Sequence, residues 1–166
     1  MEPRTVAYKG GVTPSNRRNQ IPQGLVAGSI ILTLDGEVAV EDITVGARVI
    51  TRDSGMALVR RVAVRQLRCD VVRIKAGSLG HTRPDRDVTV MAGQKILVRD
   101  WRAKAVFSRK TALVAARDLV DGEFVTLQNG RFITVFEIEF DAEHILYADG
   151  LEVASFEHSA AVSQAA

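Results

Sequence analysis

The hydrophobic pattern of the chain is that of many short β-strands. Apolar and polar side chains alternate over residues 48–51 and, most fully, over residues 131–140, as they do in a strand with one buried face. Turn signals separate the apolar segments at intervals of roughly 8–12 residues. These signals are Asp35-Gly36, Val45-Gly46, Ser54-Gly55, Asp121-Gly122, Asn129-Gly130 and Asp149-Gly150. The pattern predicts an all-β fold with almost no helix.

Three segments carry more specific predictions. Residues 56–68 predict one long or bent strand with its arginines on solvated faces. Residues 104–114 predict a strand followed by a short helix, because residues 111–118 have the most helical composition in the chain. Asn129-Gly130 predicts a tight hairpin turn before the strand at residues 131–140.

The chain contains an internal repeat. Residues 38–51 align without gaps on residues 114–127. Asp42 then pairs with Asp118 and Gly46 with Gly122, and a strand rich in valine or phenylalanine follows each glycine. A duplicated set of strands predicts two related subdomains about a pseudo-two-fold axis.

The first 21 residues differ in composition from the rest of the chain. They carry four basic side chains against one acidic side chain, whereas the remainder is close to neutral although the whole chain has a net charge of +2. We therefore expect residues 1–21 to be a disordered basic leader, residues 22–157 a folded β domain and residues 158–166 a disordered tail. The near-neutral folded part argues against binding to nucleic acid.

The sequence indicates no membrane helix, secretory signal or disulfide. No apolar segment reaches the roughly 18 residues that a membrane helix needs, and the polar N-terminus lacks the pattern of a secretory signal. The single cysteine, Cys69, excludes an internal disulfide and is expected to be a small core residue. A cytoplasmic location is the expectation, with signal-independent secretion left open.

Several short motifs occur in a fixed order along the chain. Residues 27–29 read Ala-Gly-Ser, Asp35-Gly36 follows the first strand, residues 40–43 read Val-Glu-Asp-Ile, and residues 45–51 read Val-Gly-Ala-Arg-Val-Ile-Thr. Together with residues 76–80 and 141–156, they resemble the Hint fold of inteins and of the hedgehog autoprocessing domain. The resemblance covers residues 24–157 and is to stand-alone bacterial members.

The resemblance implies a self-directed acyl shift, which needs a nucleophile, a proton donor for the leaving amine and an oxyanion stabiliser. The implied nucleophile position lies four residues before Gly28, at Gly24, and the implied central histidine falls at Gln94. Glycine has no side chain that could attack. Glutamine donates hydrogen bonds but does not transfer a proton near neutral pH.

Two functions are therefore weighed. The first is a degenerate Hint domain without self-cleavage, which acts as a structural module or binds another protein or itself. The alternative is a residual self-processing domain that cuts its own chain near residues 23–29 by an N–O or N–S acyl shift.

Other reactive side chains are weaker candidates. Ser29 is a possible substitute nucleophile, although a hydroxyl before a strand usually bonds the turn backbone, and His144 is a possible general base, although a surface or strand-edge histidine is the plainer interpretation. Glu137 and Glu139 are expected to face solvent. The histidines at 81, 144 and 158 are too far apart to suggest a metal site. No motif indicates a cofactor or a small-molecule ligand.

Overall fold

Twelve β-strands and one α-helix make up the part of the chain that the structure, a computed structural model, describes: residues 23–80, 82–108 and 110–156. The helix α1 is Trp101–Phe107, and two 3-10 turns cover Val40–Asp42 and Ala116–Leu119. The strands are β1 (Leu25–Val26), β2 (Ile30–Thr33), β3 (Gly36–Ala39), β4 (Arg48–Thr51), β5 (Gly55–Leu58), β6 (Arg61–Ile74), β7 (Val88–Met91), β8 (Lys95–Val98), β9 (Ala112–Ala115), β10 (Val125–Glu139), β11 (Ile145–Ala148) and β12 (Leu151–Ala154). The all-β prediction is confirmed.

The strands form two sheets around one core. The smaller sheet has the order β1-β10-β6-β7, and the larger has the order β3-β2-β4-β11-β12-β8-β9, with β5 paired to β4. The long strands β6 and β10 pair over nearly their whole length, from Arg61 opposite Glu139 to Ile74 opposite Val125. Apolar side chains of both sheets meet in a single buried cluster, so both sheets depend on it for stability.

The internal duplication is confirmed in the backbone. Each copy is a strand pair followed by a 3-10 turn, and the residues before the two turns, Ala39 and Ala115, have the same extended conformation (φ −63°, ψ 142° and φ −66°, ψ 142°). Val40 at the start of the first turn and Ala116 at the start of the second are both fully buried. Gly46 and Gly122, which align in the repeat, both have positive φ.

The helix lies elsewhere than composition predicts. Residues 111–118 form β9 and the second 3-10 turn, whereas α1 occupies residues 101–107 and so overlaps the strand expected from residue 104. Asp100 caps α1 by accepting a hydrogen bond from the Arg102 N–H (3.0 Å). The prediction was wrong because Ala112 and Val114 are buried in register with β8, and such pairing outweighs a weak helix propensity.

Asn129-Gly130 is not a hairpin turn. The two residues lie within β10, at a β-bulge between Gln128 and Arg131. The bulge is held by β6, since the Gly130 N–H donates to Asp70 Oδ1 and Arg68 Nε donates to the Gly130 carbonyl (both 2.9 Å). The hairpin prediction was wrong because β10 stays paired with one continuous partner and never reverses.

Two other expectations are corrected. Residues 56–68 are not one strand, because β5 ends at Leu58 and β6 begins at Arg61. Glu137 does not face solvent: it is 8% exposed and lies 3.3 Å from Arg65. The side chain of Glu139 is 14% exposed and pairs with Arg61. Alternation placed both glutamates on a polar face, but residues 135–138 are all buried, so both faces of β10 are covered there.

The predicted leader (residues 1–21) and tail (residues 158–166), with His81 and His158, lie outside the described residues. Within the described ranges, no helix has the length and apolar character needed to cross a membrane.

Candidate functional site

One cavity of about 250 Å³ brings together three residues that the sequence singles out, Gly24, Gln94 and His144. Each of them immediately precedes a strand, namely β1, β8 and β11. The cavity therefore lies where the beginnings of three strands from both sheets converge. Ser29, the fourth candidate, does not contribute to its wall.

The backbone at Gly24 leaves no room for a side chain. Its φ is +132°, a conformation that glycine adopts readily and other residues adopt at a cost. A Cβ added there would lie 2.2 Å from Val135 Cγ1 and 3.1 Å from the Phe136 carbonyl oxygen. Val135 is 1% exposed, so its side chain is enclosed by the core. In this conformation, any residue with a Cβ is both strained and in steric conflict at this position.

The side chain of Gln94 has a structural role. It is 5% exposed, and its Nε2 donates to the carbonyls of Lys95 and Ala154, both at 3.0 Å. An amide nitrogen has two N–H donors, so both are used. Gln94 thereby joins the beginning of β8 to the end of β12, and it carries no group that titrates near neutral pH.

His144 is paired with an aspartate from a distant part of the chain. Its Nδ1 lies 2.9 Å from Asp53 Oδ2 and 3.2 Å from Ser54 Oγ. Asp53 Oδ1 also accepts the Ile145 N–H at 2.9 Å. Burial acts to raise the pKa of Asp53, but the hydrogen bonds from Ile145 and His144 outweigh it and hold that pKa below its ordinary value of 3.8. An ionised aspartate accepts a hydrogen bond from the imidazole and thereby fixes the orientation of the ring.

The sequence profile of the Hint domain matches residues 23–160. This chain belongs to the Hint domain family. The family assignment from the sequence motifs is thus confirmed, and it covers most of the chain. The search of curated proteins found no match for this chain.

Solved structures agree with this assignment. The Hint domain is similar to a bacterial intein-like domain from Clostridium thermocellum, with 18% identity, a TM-score of 0.53 and coverage of 82% of this chain and 99% of the other. It is also similar to a DnaB intein from Synechocystis sp. PCC 6803, with 17% identity, a TM-score of 0.51 and coverage of 81% and 100%. At these identities the likeness shows the fold alone.

Ser29 and Cys69, the other nucleophilic side chains that the sequence singles out, both lie outside the cavity wall. The Ser29 hydroxyl, in a residue 8% exposed, donates to the Val26 carbonyl at 2.7 Å. Cys69 does not line the cavity and is partly buried rather than a core residue. Burial, and secondarily Asp70, raise the pKa of its thiol, which lowers the thiolate fraction and hence its reactivity.

Sequence reasoning missed two residues of the cavity, Asp53 and Ser155. Ser155 Oγ accepts the His144 N–H at 3.0 Å, and the Ser155 N–H donates to the His144 carbonyl at 2.8 Å. No local signal marks Asp53, because its partner is 91 residues away. Across the described part of the chain, no group of three or more histidine, cysteine or acidic side chains could hold a metal ion.

The Asp53–His144 pair predicts a specific acid sensitivity. The pKa of Asp53 is lower in the folded protein than its ordinary value. The ionised carboxylate therefore contributes fully to stability above pH 3.8, and this contribution is lost as the pH falls through the folded pKa. Asp53→Asn should therefore lower the melting temperature at neutral pH. The difference in melting temperature between the variant and the wild type should become smaller well below pH 3.8. Thermal unfolding of both proteins, from neutral pH to well below pH 3.8, measures this difference.

Asp35→Asn is the matched control, since Asp35 is 77% exposed and 3.7 Å from its nearest arginine nitrogen. The melting temperature of Asp35→Asn should match that of the wild type at each pH. A constant gap between Asp53→Asn and wild type at every pH would contradict the prediction.

Proposed function

We propose that this Hint domain does not cleave its own chain and acts as a protein-binding module. The observation that carries the proposal is the contact at Gly24, where a Cβ would lie 2.2 Å from Val135 Cγ1. The position that the family resemblance assigns to the nucleophile thus lacks both the side chain and the space for one. Gln94, at the position of the central histidine, has its amide donors engaged with two carbonyls.

The binding part of the proposal rests on the cavity and the strand beside it. β9 is the last strand of the larger sheet. Because the Ala116 N–H donates to the Gln94 carbonyl and antiparallel pairing alternates, the main-chain groups of Leu113 and Ala115 face away from β8. Leu113 is 44% exposed and lies on the cavity wall. An extended segment added to β9 would reach the cavity.

The charges of the cavity favour one kind of segment. Its wall carries two carboxylates, Asp53 and Glu143, against one lysine, Lys95. A partner segment with a basic side chain directed into the cavity would complement that balance.

Intact mass tests the absence of cleavage. We expect the full-length mass to stay unchanged after expression and after incubation with a thiol or hydroxylamine, because no thioester or ester forms for these reagents to cleave. Loss of the segment that precedes residues 23–29 would overturn the proposal.

Capture from a lysate of the source cells, with sedimentation of the purified domain, tests the binding. The wild type should retain a partner or associate with itself, and Leu113→Arg should reduce this about ten-fold or more, because it places a charge on the docking edge. Leu127→Arg is the matched control, since Leu127 is equally exposed at 44% and does not line the cavity. A monomer without a captured partner, or equal capture by both variants, would count against binding.

One observation favours the second candidate, residual self-cleavage near residues 23–29. His144 and Asp53 form an acid–base pair in the same cavity as Gly24. With no nucleophile at Gly24, such cleavage would need an external one. His144→Gln should then abolish any slow loss of the leader, whereas no loss in the wild type would leave this candidate without support.

A further inference from the structure

Three arginines surround one buried carboxylate at a site distinct from the cavity. Glu152 in β12 has a side chain only 1% exposed. Its Oε1 lies 3.2 Å from Arg52 Nη1 and 3.3 Å from Arg83 Nη1, and its Oε2 lies 2.9 Å from Arg99 Nε. The contact at Oε2 lacks the alignment of a hydrogen bond. Arg52 and Arg99 directly follow β4 and β8, and Arg83 lies in the loop between β6 and β7. We call these three residues the arginine cluster.

The arginine cluster carries more positive charge than Glu152 offsets. Three guanidiniums face one carboxylate, which leaves a net charge of two positive units at one place. Like charges held this close repel one another. Each guanidinium has five N–H donors, and each uses one nitrogen on Glu152. The remaining donors can bind a second anion.

Neighbouring acidic groups do not remove this excess. Asp100 lies on the wall of the small cavity that also includes Arg83, Arg99 and Glu152. Its carboxylate is already paired with Arg102 and caps α1. No other carboxylate in the described part of the chain makes an ion pair with the arginine cluster.

The arginine cluster remains accessible from solvent. The side chains of Arg52, Arg83 and Arg99 are 37%, 34% and 32% exposed. The cavity beside Arg83 and Arg99 has a volume of only about 20 Å³, which is too small for a polyatomic anion. A ligand would therefore lie on the outer side of the guanidiniums, with Glu152 beneath them.

We propose that the arginine cluster binds a phosphate group. The planar fork of a guanidinium matches the oxygens of phosphate and can bind two of them at once. A phosphate group carries a charge of about −1.5 to −2 at neutral pH, which matches the excess of two positive charges, whereas a carboxylate supplies one. The site is independent of the proposed function and does not involve Gly24 or His144.

Titration with inorganic phosphate at constant ionic strength, followed by calorimetry, tests the site. Phosphate should bind saturably, and acetate and chloride should bind at least ten-fold more weakly. Arg83→Gln should weaken phosphate binding about ten-fold or more, because a hydrogen bond to a charged group is worth about 1.5–3 kcal/mol. Binding of a short phosphoserine peptide, compared with that of free phosphate, identifies the source of the group.

Two further variants make the test specific. Glu152→Gln should strengthen phosphate binding, because it removes the competing negative charge while keeping the shape of the side chain. Arg73→Gln should leave binding unchanged, because Arg73 is 51% exposed and pairs with Asp87 outside the cluster. If Glu152→Gln fails to fold, Arg99→Gln replaces it and should weaken binding as Arg83→Gln does. No saturable phosphate binding, or equal loss in Arg73→Gln and Arg83→Gln, would overturn the proposal.

Discussion

Gly24→Cys is expected to destabilise the Hint domain without starting self-cleavage. The substitution supplies the thiol that an acyl shift needs, but its Cβ would lie 2.2 Å from Val135 Cγ1 at a φ of +132°. Backbone strain at positive φ costs about 1–3 kcal/mol, and overpacking costs a similar amount. We expect a loss of about 2–6 kcal/mol, or a fall in melting temperature of roughly 4–24 °C for a chain of this size.

Three comparisons separate the steric clash from the backbone strain. Gly24→Ala should destabilise as much as Gly24→Cys, because the Cβ alone causes the clash. Gly28→Ala should cost less, since Gly28 has a φ of +93° and no atom within 4 Å of an added Cβ. Val135→Ala should destabilise the Gly24→Ala variant less than it destabilises the wild type, because in the variant it removes the clashing methyl group.

Thermal unfolding and intact mass together decide the outcome. Equal losses for Gly24→Ala and Gly28→Ala would contradict the steric argument. Thiol-dependent cleavage of Gly24→Cys, with a melting temperature near that of the wild type, would contradict the claim that a nucleophile no longer fits at this position.

Replacing all three members of the arginine cluster with glutamine is expected to be the second large effect. It leaves Glu152 as an unpaired carboxylate that is 1% exposed and cannot reach water. Removing the partners of a buried charge costs about 3–5 kcal/mol, or roughly 6–20 °C in melting temperature. Glu152→Gln should lower stability less than the triple arginine variant does. The arginine side chains are about a third exposed and can turn to solvent.

Denaturant unfolding of the variants checks this asymmetry. Adding Glu152→Gln to the triple arginine variant should restore part of the lost stability, because it removes the stranded charge. Arg73→Gln should change stability by less than about 1 kcal/mol, as is usual for an exposed ion pair. A triple variant no less stable than Glu152→Gln would refute the prediction.

The parts of the fold that could be predicted are those with a local cause. The chain reversal at Asp35-Gly36 was predicted correctly because glycine readily adopts a positive φ, and Gly36 has a φ of +102°, although Asp35 lacks the positive φ of a type I′ turn. The repeat was found because Asp42 and Gly46, with their counterparts Asp118 and Gly122, shape a turn within each copy. Asn129-Gly130 carries an equally strong local signal, yet pairing with β6 converts it into a bulge.

The candidate site was predictable only in part. The family motifs identified Gly24 and Gln94, the chemistry of its side chain singled out His144, and the three line one cavity. They did not identify Asp53, because nothing near it in the chain distinguishes it from other turn aspartates. Its hydrogen bond with His144 forms only when the end of β4 comes beside the beginning of β11.

The sequence by itself determined the strand pattern, the duplication, the family and the lack of a titratable group at both motif positions. These follow from residue types and their spacing, which act locally. The tertiary structure alone decided that Val135 fills the space beside Gly24, that Asp53 meets His144, and that three arginines surround Glu152. Each of these contacts joins residues far apart in the chain. Sheet register and core packing fix such contacts, and neither is encoded within a single stretch of sequence.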